Sequence, residues 1–336
     1  MITVVGEALI DLVAGRDGTT FHARPGGSPF NVAVATARLG APARLLARLA
    51  QDRFGTMLRD HAAASGVDLS AAVSATEPTT LAVTSIDEHG GPTYDFYVDG
   101  TADWQWRDDE LHALDSSAVV HFGSLASWMS PGDVVVHAAI ARSKALVSYD
   151  PNIRPRLIGS RERAQAVVER NVAAADVVKA SDEDLRWLYP GKHPRDIATR
   201  WLTGRPSLVL VTAGSSGATA HHQGGHVTHR PRQSVEVADT VGAGDAWIGS
   251  ILADLHTLGA TTAQSIQALT ADRIADLLDT ATLVASITCG RQGADPPTAN
   301  DVATARQQSP VLRALSESNA QHNALPYPTG HRATAV

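Results

Sequence analysis

The stretch "DTVGAGDAWIGSILADL", residues 239–255, joins a loop of small residues to an amphipathic run. Apolar residues after position 246 recur with a helical period, so the loop leads into a helix N-terminus, where backbone N–H groups attract negative charge. Two interpretations remain open. Asp245 caps the helix, as an Asp in that place commonly does. Alternatively, the small residues Gly242, Ala243 and Gly244 form an anion cradle, and Asp245 is a base beside it.

A second stretch, "RPGGSPFNVAVATARLG" at residues 24–40, also leads from glycines into a helical pattern. The adjacent Gly26 and Gly27 permit close approach of the backbone to a ligand. Asn31 offers both a donor and an acceptor to hydroxyl groups. An ordinary loop before a tightly packed helix fits the same residues, so this stretch alone leaves both interpretations open.

The composition restricts the class of protein. The chain has 336 residues, 43% of them hydrophobic, which suffices for the core of one large domain. Its net charge is −7 with scattered Lys and Arg, so we expect no nucleic-acid partner. No run of apolar residues is long enough to span a membrane. A single cysteine, Cys289, fits a reducing compartment, and we expect a cytoplasmic protein.

Short apolar strands alternate with amphipathic helical runs along most of the chain. This alternation predicts an α/β fold with a mostly parallel central sheet, helices on both faces, and ligands at the C-terminal ends of the strands. The predicted strands are "ITVVGEAL", "ARLLARLA", "AVVHFGS", "ALVSYDPN", "DVVKAS" and "SLVLVTAG". The predicted helices include "PFNVAVATARLG", "DRFGTMLRDHAAASG" and "SRERAQAVVERNVAAA".

Two hairpin-like segments without a neighbouring helix predict a small β-flap, or lid, over the main sheet. They are "LVAGRDGTTFHARPGG" and "TTLAVTSIDEHGGPTYDFYVDG", with lid portions at about 12–25 and 80–104. An exposed flap edge can pair with another subunit, so a homodimer through the lid is a hypothesis. We expect one domain over residues 1–307 and a partly disordered C-terminal tail over 308–336.

The two glycine-containing stretches together resemble the PfkB (ribokinase-like) carbohydrate kinases, over residues 1 to about 307. Within that family, "GEALIDL", "RPGGSPFNVA", "SYDPNIRPRL", "VVKASDEDL" and "GRQGADPPT" are most similar to bacterial fructokinases. The resemblance implies a ribokinase-like fold and ATP-dependent phosphorylation of a sugar hydroxyl, with D-fructose giving fructose 6-phosphate. The alternatives are a family member acting on 2-keto-3-deoxygluconate, ribose or a nucleoside, and a relative that binds sugar or nucleotide without catalysis.

The resemblance also implies roles for individual residues. Asp245 is the base that takes the proton from the sugar hydroxyl, and the amides of Gly242, Ala243 and Gly244 hold charge on the transferring phosphoryl group. Asp11, just past the first strand, binds sugar hydroxyls. The expected substrate-binding residues are Asp11, Gly26, Gly27, Asn31 and Arg154, of which Arg154 follows a buried strand and can reach a phosphate or substrate oxygen.

The resemblance further implies ATP, Mg²⁺ and in some members K⁺ as cofactors. Ser181-x-x-Asp184 stands where the family has Asn-x-x-Glu, and Asp184 would act on Mg²⁺ through water. The residues expected beside ATP are Ser181, Thr212, Gly214 and Gly217. Asp239 and Val241 match the positions whose oxygens bind a monovalent cation in some family members.

Overall fold

Strands with intervening helices make up most of the structure, a computed structural model that describes residues 1–15, 17–86, 92–222, 225–229 and 237–308. The strands are β1 (Ile2–Val5), β2 (Leu9–Ala14), β3 (Phe21–Gly26), β4 (Ala43–Leu46), β5 (Arg48–Ala50), β6 (Val73–Ala75), β7 (Leu81–Ile86), β8 (Pro92–Tyr97), β9 (Val119–Gly123), β10 (Leu146–Asp150), β11 (Val177–Ser181), β12 (Leu208–Thr212), β13 (Ala218–His222) and β14 (Gly225–His229).

The main sheet contains eight strands of the described residues, in the order β14-β13-β12-β11-β10-β9-β1-β4. From β4 to β12 all neighbours are parallel, whereas β13 and β14 are antiparallel additions at one edge. The predicted mostly parallel sheet is confirmed. Its parallel strands are almost continuously apolar because both faces are covered.

The α-helices of the described residues are α1 (Ser28–Arg38), α2 (Arg53–Ala64), α3 (Gly132–Arg142), α4 (Pro155–Ile158), α5 (Arg161–Val172), α6 (Asp182–Leu188), α7 (Pro194–Trp201), α8 (Ala243–Thr257), α9 (Ala263–Gln267), α10 (Ala271–Cys289) and α11 (Ala299–Gln308). Those within residues 1–297 cover both faces of the main sheet. Successive strand residues point to opposite faces. On β10, Leu146 therefore packs in the core with α1, α2, α8 and α10, while Val147 and Tyr149 pack in the core with α3, α5, α6 and α7.

A separate four-stranded sheet, in the order β3-β2-β7-β8, forms the predicted lid. Strands β2 and β3 make one antiparallel hairpin, in which Asp11 lies opposite Arg24, and β7 and β8 make the other. The two hairpins join through the parallel pair β2–β7. The turn at 87–91 that was predicted for the second hairpin lies outside the described residues.

Two predicted strands are wrong in extent. "ITVVGEAL" is interrupted after Val5, because the Ala8 amide donates to Asp103 Oδ1 at 2.9 Å instead of to a sheet neighbour. The chain then enters the lid as β2. "ARLLARLA" is likewise split at Ala47, whose carbonyl accepts from Val73 N at 2.9 Å. The split puts β4 in the main sheet and β5 in a two-stranded sheet with β6.

Residues 1–297 form one unit and 298–336 a second. Within the second unit, α11 begins where Thr298 N donates to Asp301 Oδ2 at 2.9 Å and Asp301 N donates to Thr298 Oγ1 at 3.2 Å. Residues 309–336, and with them nearly all of the predicted tail, lie outside the described part of the chain. None of the helices in the described part is both long and apolar enough to cross a membrane.

Candidate active site

The start of α8 has a backbone that only glycine fits. Gly242 is the N-cap residue and has a left-handed conformation, with φ +74°. A Cβ at this position would lie 2.5 Å from the Ala294 side chain. The Gly242 carbonyl accepts from Ala246 N at 2.8 Å, whereas Ala243 N donates to Thr240 O at 3.3 Å. The amides of the first helical turn have no acceptor within the helix, so this loop fits an anion cradle.

The Asp245 carboxylate is held by two side chains of α1. Ser28 Oγ donates to Oδ1 at 2.7 Å and Asn31 Nδ2 donates to Oδ2 at 2.8 Å. Burial raises the pKa of Asp245 above its usual range, while the Asn31 and Ser28 hydrogen bonds and the Lys179 charge lower it. The capping interpretation is therefore wrong for this side chain, which lies in the third helical position with both oxygens bound to side chains.

Asp11 lies against the glycine pair that precedes α1. A Cβ at Gly26 would overlap Asp11 Oδ2, so the glycine makes room for the carboxylate. Burial raises the pKa of Asp11 to about 6, with a lowering effect from Arg154 and raising effects from Asp245 and Asp239. These electrostatic effects mean that the expected sugar-binding acid and the expected base border one polar region.

Arg154 is near this region, but its guanidinium is bound locally. Nη1 donates to Asn152 Oδ1 at 2.7 Å and to Asn152 O at 3.2 Å. Its charge lowers the pKa of Asp11 and of Glu7, which is buried and accepts from Ala126 N at 3.1 Å. Arg154 therefore compensates two acids near the start of the lid.

The C-terminal ends of β10 and β11 place a buried ion pair below the cradle. Lys179 Nζ donates to Asp150 Oδ2 at 2.8 Å, and both side chains are buried. The same Nζ would lie 3.3 Å from a Cβ on Gly244. The sequence interpretation missed Lys179 and Ser28. A lysine within the apolar strand "VVKAS" was the available indication for the first, because a buried charge requires partners.

Ser181 and Asp184 form a capping box at the start of α6. Asp184 N donates to Ser181 Oγ at 2.9 Å, and Ser181 N donates to Asp184 Oδ2 at 3.4 Å. Asp184 Oδ1 accepts from Ile153 N at 3.1 Å. Burial and the Asp150 charge raise the pKa of Asp184.

This geometry fits a metal ion that is bound through water rather than directly by Asp184. Each carboxylate oxygen of Asp184 accepts one backbone amide and keeps a second lone pair, which suits a water of a hydrated Mg²⁺ ion. Across the described ranges, no group of three or more His, Cys, Asp or Glu side chains is arranged to hold a metal directly.

The expected nucleotide residues lie beside one another at the same edge of the sheet. Thr212, at the end of β12, is in register with Ser181 at the end of β11. The loop that follows is closed by a hydrogen bond from Ala213 N to Gly217 O at 2.8 Å, with Gly214 in between. Three of the four expected ATP residues thus belong to one strand end and its tight loop, and Ser181 lies beside them.

Asp239 shapes the loop that enters the cradle. Its Oδ1 accepts from Val241 N at 3.0 Å and its Oδ2 accepts from Gly293 N at 2.9 Å. The backbone amides of residues 238 and 239 both donate to Cys289 O. The end of α10 and the "GRQGADPPT" segment therefore hold this loop in place, and Ala294 of that segment packs against Gly242.

Comparison with known proteins gives a consistent result. The model of the pfkB family carbohydrate kinases matches residues 1–301. A fructokinase of Rhizobium leguminosarum bv. trifolii is 37% identical over 277 residues, 80% of this chain and 84% of that protein. The crystal structure of a Xylella fastidiosa fructokinase with bound ATP has a TM-score of 0.85 at 28% identity, covering 91% and 98% of the two chains. A Vibrio cholerae O395 fructokinase double mutant, bound to fructose, ADP and potassium ion, has a TM-score of 0.76 at 27% identity, covering 87% and 93%.

Proposed function

The chain belongs to the pfkB family of carbohydrate kinases, and we propose that it transfers the γ-phosphoryl group of ATP to the 6-hydroxyl of D-fructose. The observation that carries this proposal is the buried Asp245 carboxylate at the start of α8, held by Ser28 and Asn31. Such a carboxylate can take a hydroxyl proton next to amides that attract phosphate. The similarity to several fructokinases supports fructose as the acceptor.

In the proposed reaction Asp245 is the general base. The sugar O–H bond breaks as its proton passes to Asp245, the sugar oxygen bonds to the γ-phosphorus, and the bond from that phosphorus to the β–γ bridging oxygen breaks to release ADP. Burial makes Asp245 a stronger base than an exposed Asp, while Ser28 and Asn31 fix its orientation. The amides of Gly242, Ala243 and Gly244 stabilise charge on the transferred group.

The sugar is bound on the lid side of Asp245. Asp11 accepts hydrogen bonds from sugar hydroxyls, and Gly26 and Gly27 let the backbone approach the ring. Asn31 contributes to the same pocket from α1, one turn after Ser28. Arg154 completes it with a positive charge, whose electrostatic effect on Asp11 supports this location.

The nucleotide is bound at the ends of β11 and β12 by Ser181, Thr212, Gly214 and Gly217. A bound Mg²⁺ ion supplies charge neutralisation to the phosphates, and Asp184 orients it through water. K⁺ is proposed at the oxygens of Asp239 and Val241. The ADP and potassium ion bound by the Vibrio cholerae fructokinase variant support a nucleotide and a monovalent cation as ligands of this chain.

The proposals for Mg²⁺ and K⁺ are tested by removing or replacing each cation. After treatment with a chelator, sugar-dependent ADP release should vanish and return with Mg²⁺, because the phosphate charge then has no counter-ion. Replacement of K⁺ by Na⁺ tests the second cation separately. Full activity in the chelator would contradict the role of Mg²⁺, and equal rates in both salts would contradict that of K⁺.

The substrate is tested by ADP release over a panel of D-fructose, 2-keto-3-deoxygluconate, ribose and adenosine. We expect kcat/KM for fructose to exceed the others by more than about tenfold, a difference of about 1.4 kcal/mol in transition-state binding. A comparable preference for 2-keto-3-deoxygluconate would contradict fructose as the substrate but still support a sugar kinase. ADP release no higher than that of Asp245→Asn on every sugar would overturn the kinase proposal in favour of a non-catalytic binding protein.

A further inference from the structure

Lys179 lies buried directly below the first turn of α8. The residue is only 5% exposed. Its Nζ borders Gly244, where a Cβ would lie 3.3 Å away, and Asp150 has no atom within 4 Å of that position. The positive charge, rather than its carboxylate partner, therefore faces the backbone of the cradle.

A structural ion pair does not by itself explain a lysine at this place. A buried pair is commonly no more stabilising than apolar residues of the same volume. The carboxylates of Asp150, Asp184 and Asp245 all raise the pKa of Lys179, so its ammonium is charged at neutral pH although burial opposes this. One cation is thus shared among three acids at the point where the anion cradle begins.

We propose that Lys179 is a positioning residue for phosphoryl transfer, adding its charge to the cradle through the Gly244 backbone and favouring the ionised form of Asp245. The proposal rests on the proposed function. A fixed charge aimed at developing negative charge stabilises the transition state without reorganisation. Lys179 itself transfers no proton and remains bonded to Asp150.

The proposal predicts the direction in which loss of Lys179 changes the pH dependence of kcat. The charged groups acting around Asp245 are Lys179 on β11, Asp150 on β10 and Asp11 on β2, of which only Lys179 is positive. Loss of Lys179 therefore raises the pKa of Asp245. Because catalysis requires the ionised base, the acidic limb of the kcat profile should move to higher pH.

The test compares Lys179→Met, which keeps the length of the side chain, with Arg205→Met. Arg205 pairs with Asp176 at 2.9 Å next to the opposite end of β11, so its loss weakens the same strand away from the cradle. For Lys179→Met we expect kcat to fall at least about tenfold and the acidic limb of the kcat profile to move to higher pH. We expect affinity for a non-hydrolysable ATP analogue to fall about tenfold and that for ADP by less than about threefold, since only the former has a γ-phosphate. Arg205→Met should change none of these.

A second variant is needed because Lys179→Met leaves the buried carboxylate of Asp150 without its ion-pair partner, which lowers stability. Asp150→Asn/Lys179→Met should recover the melting temperature, yet keep the loss of preference for the analogue over ADP. Recovery of wild-type analogue affinity in this double variant would overturn the proposal. So would a single variant that weakens both nucleotides equally with an unmoved acidic limb. If the wild-type protein phosphorylates no sugar, the proposed function fails on that result alone, and the analogue-to-ADP ratio still tests Lys179.

Discussion

At the scale of single residues, the neighbours of the Asp245 carboxylate allow its proposed role in catalysis to be tested separately from its contribution to folding stability. Both oxygens accept hydrogen bonds from side chains of α1, and Gly242 supplies the N-cap of α8. Substitution by Asn preserves size. Its oxygen can accept one of the two hydrogen bonds, and rotation of the Asn31 amide restores the other.

We therefore expect Asp245→Asn to fold with a melting temperature close to wild type and to bind both fructose and a non-hydrolysable ATP analogue. Its kcat should fall by roughly 10²–10⁴-fold, because Asn cannot accept the hydroxyl proton. Calorimetric titration alongside turnover measures both effects. The matched control is Asp272→Asn, another acid in the first turn of a helix, which should retain wild-type turnover. An Asp245→Asn variant with more than about a tenth of wild-type kcat would contradict the base assignment.

Asp11 gives a prediction that depends on pH. Its pKa is raised from 3.8 to about 6, so the carboxylate that we propose binds sugar hydroxyls is ionised at pH 7.5 and becomes protonated as the pH falls through 6. Fructose affinity should decrease over that range. Asp11→Ala should weaken fructose binding by about 2–5 kcal/mol at pH 7.5 and remove most of this dependence. Affinity for the ATP analogue is the control, and an equal loss for both ligands would indicate a structural role in β2.

The sequence indicates some of these residues better than others. Asp245 and Asn31 belong to a glycine-containing pattern that predicts a helix N-terminus, so they could be identified from sequence. Ser28 lies in the same pattern, but a serine before a helix is usually a cap, and only the fold brings it to Asp245. Lys179 is indicated locally only by its place in an apolar strand, because its partner Asp150 lies on a neighbouring strand 29 residues away.

At the scale of elements, Gly242 determines where α8 begins. Gly242→Ala would place a side chain in a left-handed conformation and against Ala294. We expect a loss of stability of about 1–3 kcal/mol from the backbone alone, with more from the contact, and a larger fall in kcat because the cradle amides shift. Thermal unfolding and turnover measure the two effects.

Gly259→Ala is the matched control at the other end of α8. Gly259 has a similar φ of +69°, but no atom lies within 4 Å of its Cβ position. Its substitution should cost backbone strain without loss of kcat. Identical behaviour of the two variants would mean that the contact with Ala294 does not determine the geometry of the cradle.

The ends of the strands were the features hardest to predict from the sequence, because contacts with distant residues determine them. "ITVVGEAL" and "ARLLARLA" are mainly apolar, and the strongest local sign of a break is Gly6, whose φ is +151°. The breaks occur where distant groups compete for the backbone: Asp103 accepts from the Ala8 amide, and Val73 donates to the Ala47 carbonyl. Each break moves the next residues into another sheet, and the first creates the lid.

At the scale of the whole molecule, the site exists only through long-range packing of α1 against α8. Asp245 is separated from its donors Ser28 and Asn31 by 217 and 214 positions in sequence. The α/β class follows from the alternation of elements, but the pairing of these two helices does not. The resemblance of both glycine-containing stretches to one family supplied it.

The lid leaves two strand edges, β3 and β8, outside its own pairing. Edge strands present unpaired backbone groups that can pair with a second chain. Tyr97, the last residue of β8, is 61% exposed, so its side chain would be covered if a second chain paired with this edge. We therefore expect a dimer that associates through this edge.

Light scattering during size-exclusion chromatography should give about twice the 35.3 kDa chain mass. Tyr97→Lys should shift the protein toward the monomer, because a charged residue at an edge opposes pairing. The matched control is Val134→Lys on α3, where an apolar residue is similarly exposed, at 58%, but lies in a helix. A helix has no unpaired edge, so this variant should remain dimeric. A monomeric wild-type protein, or equal dissociation by both substitutions, would contradict association through the lid.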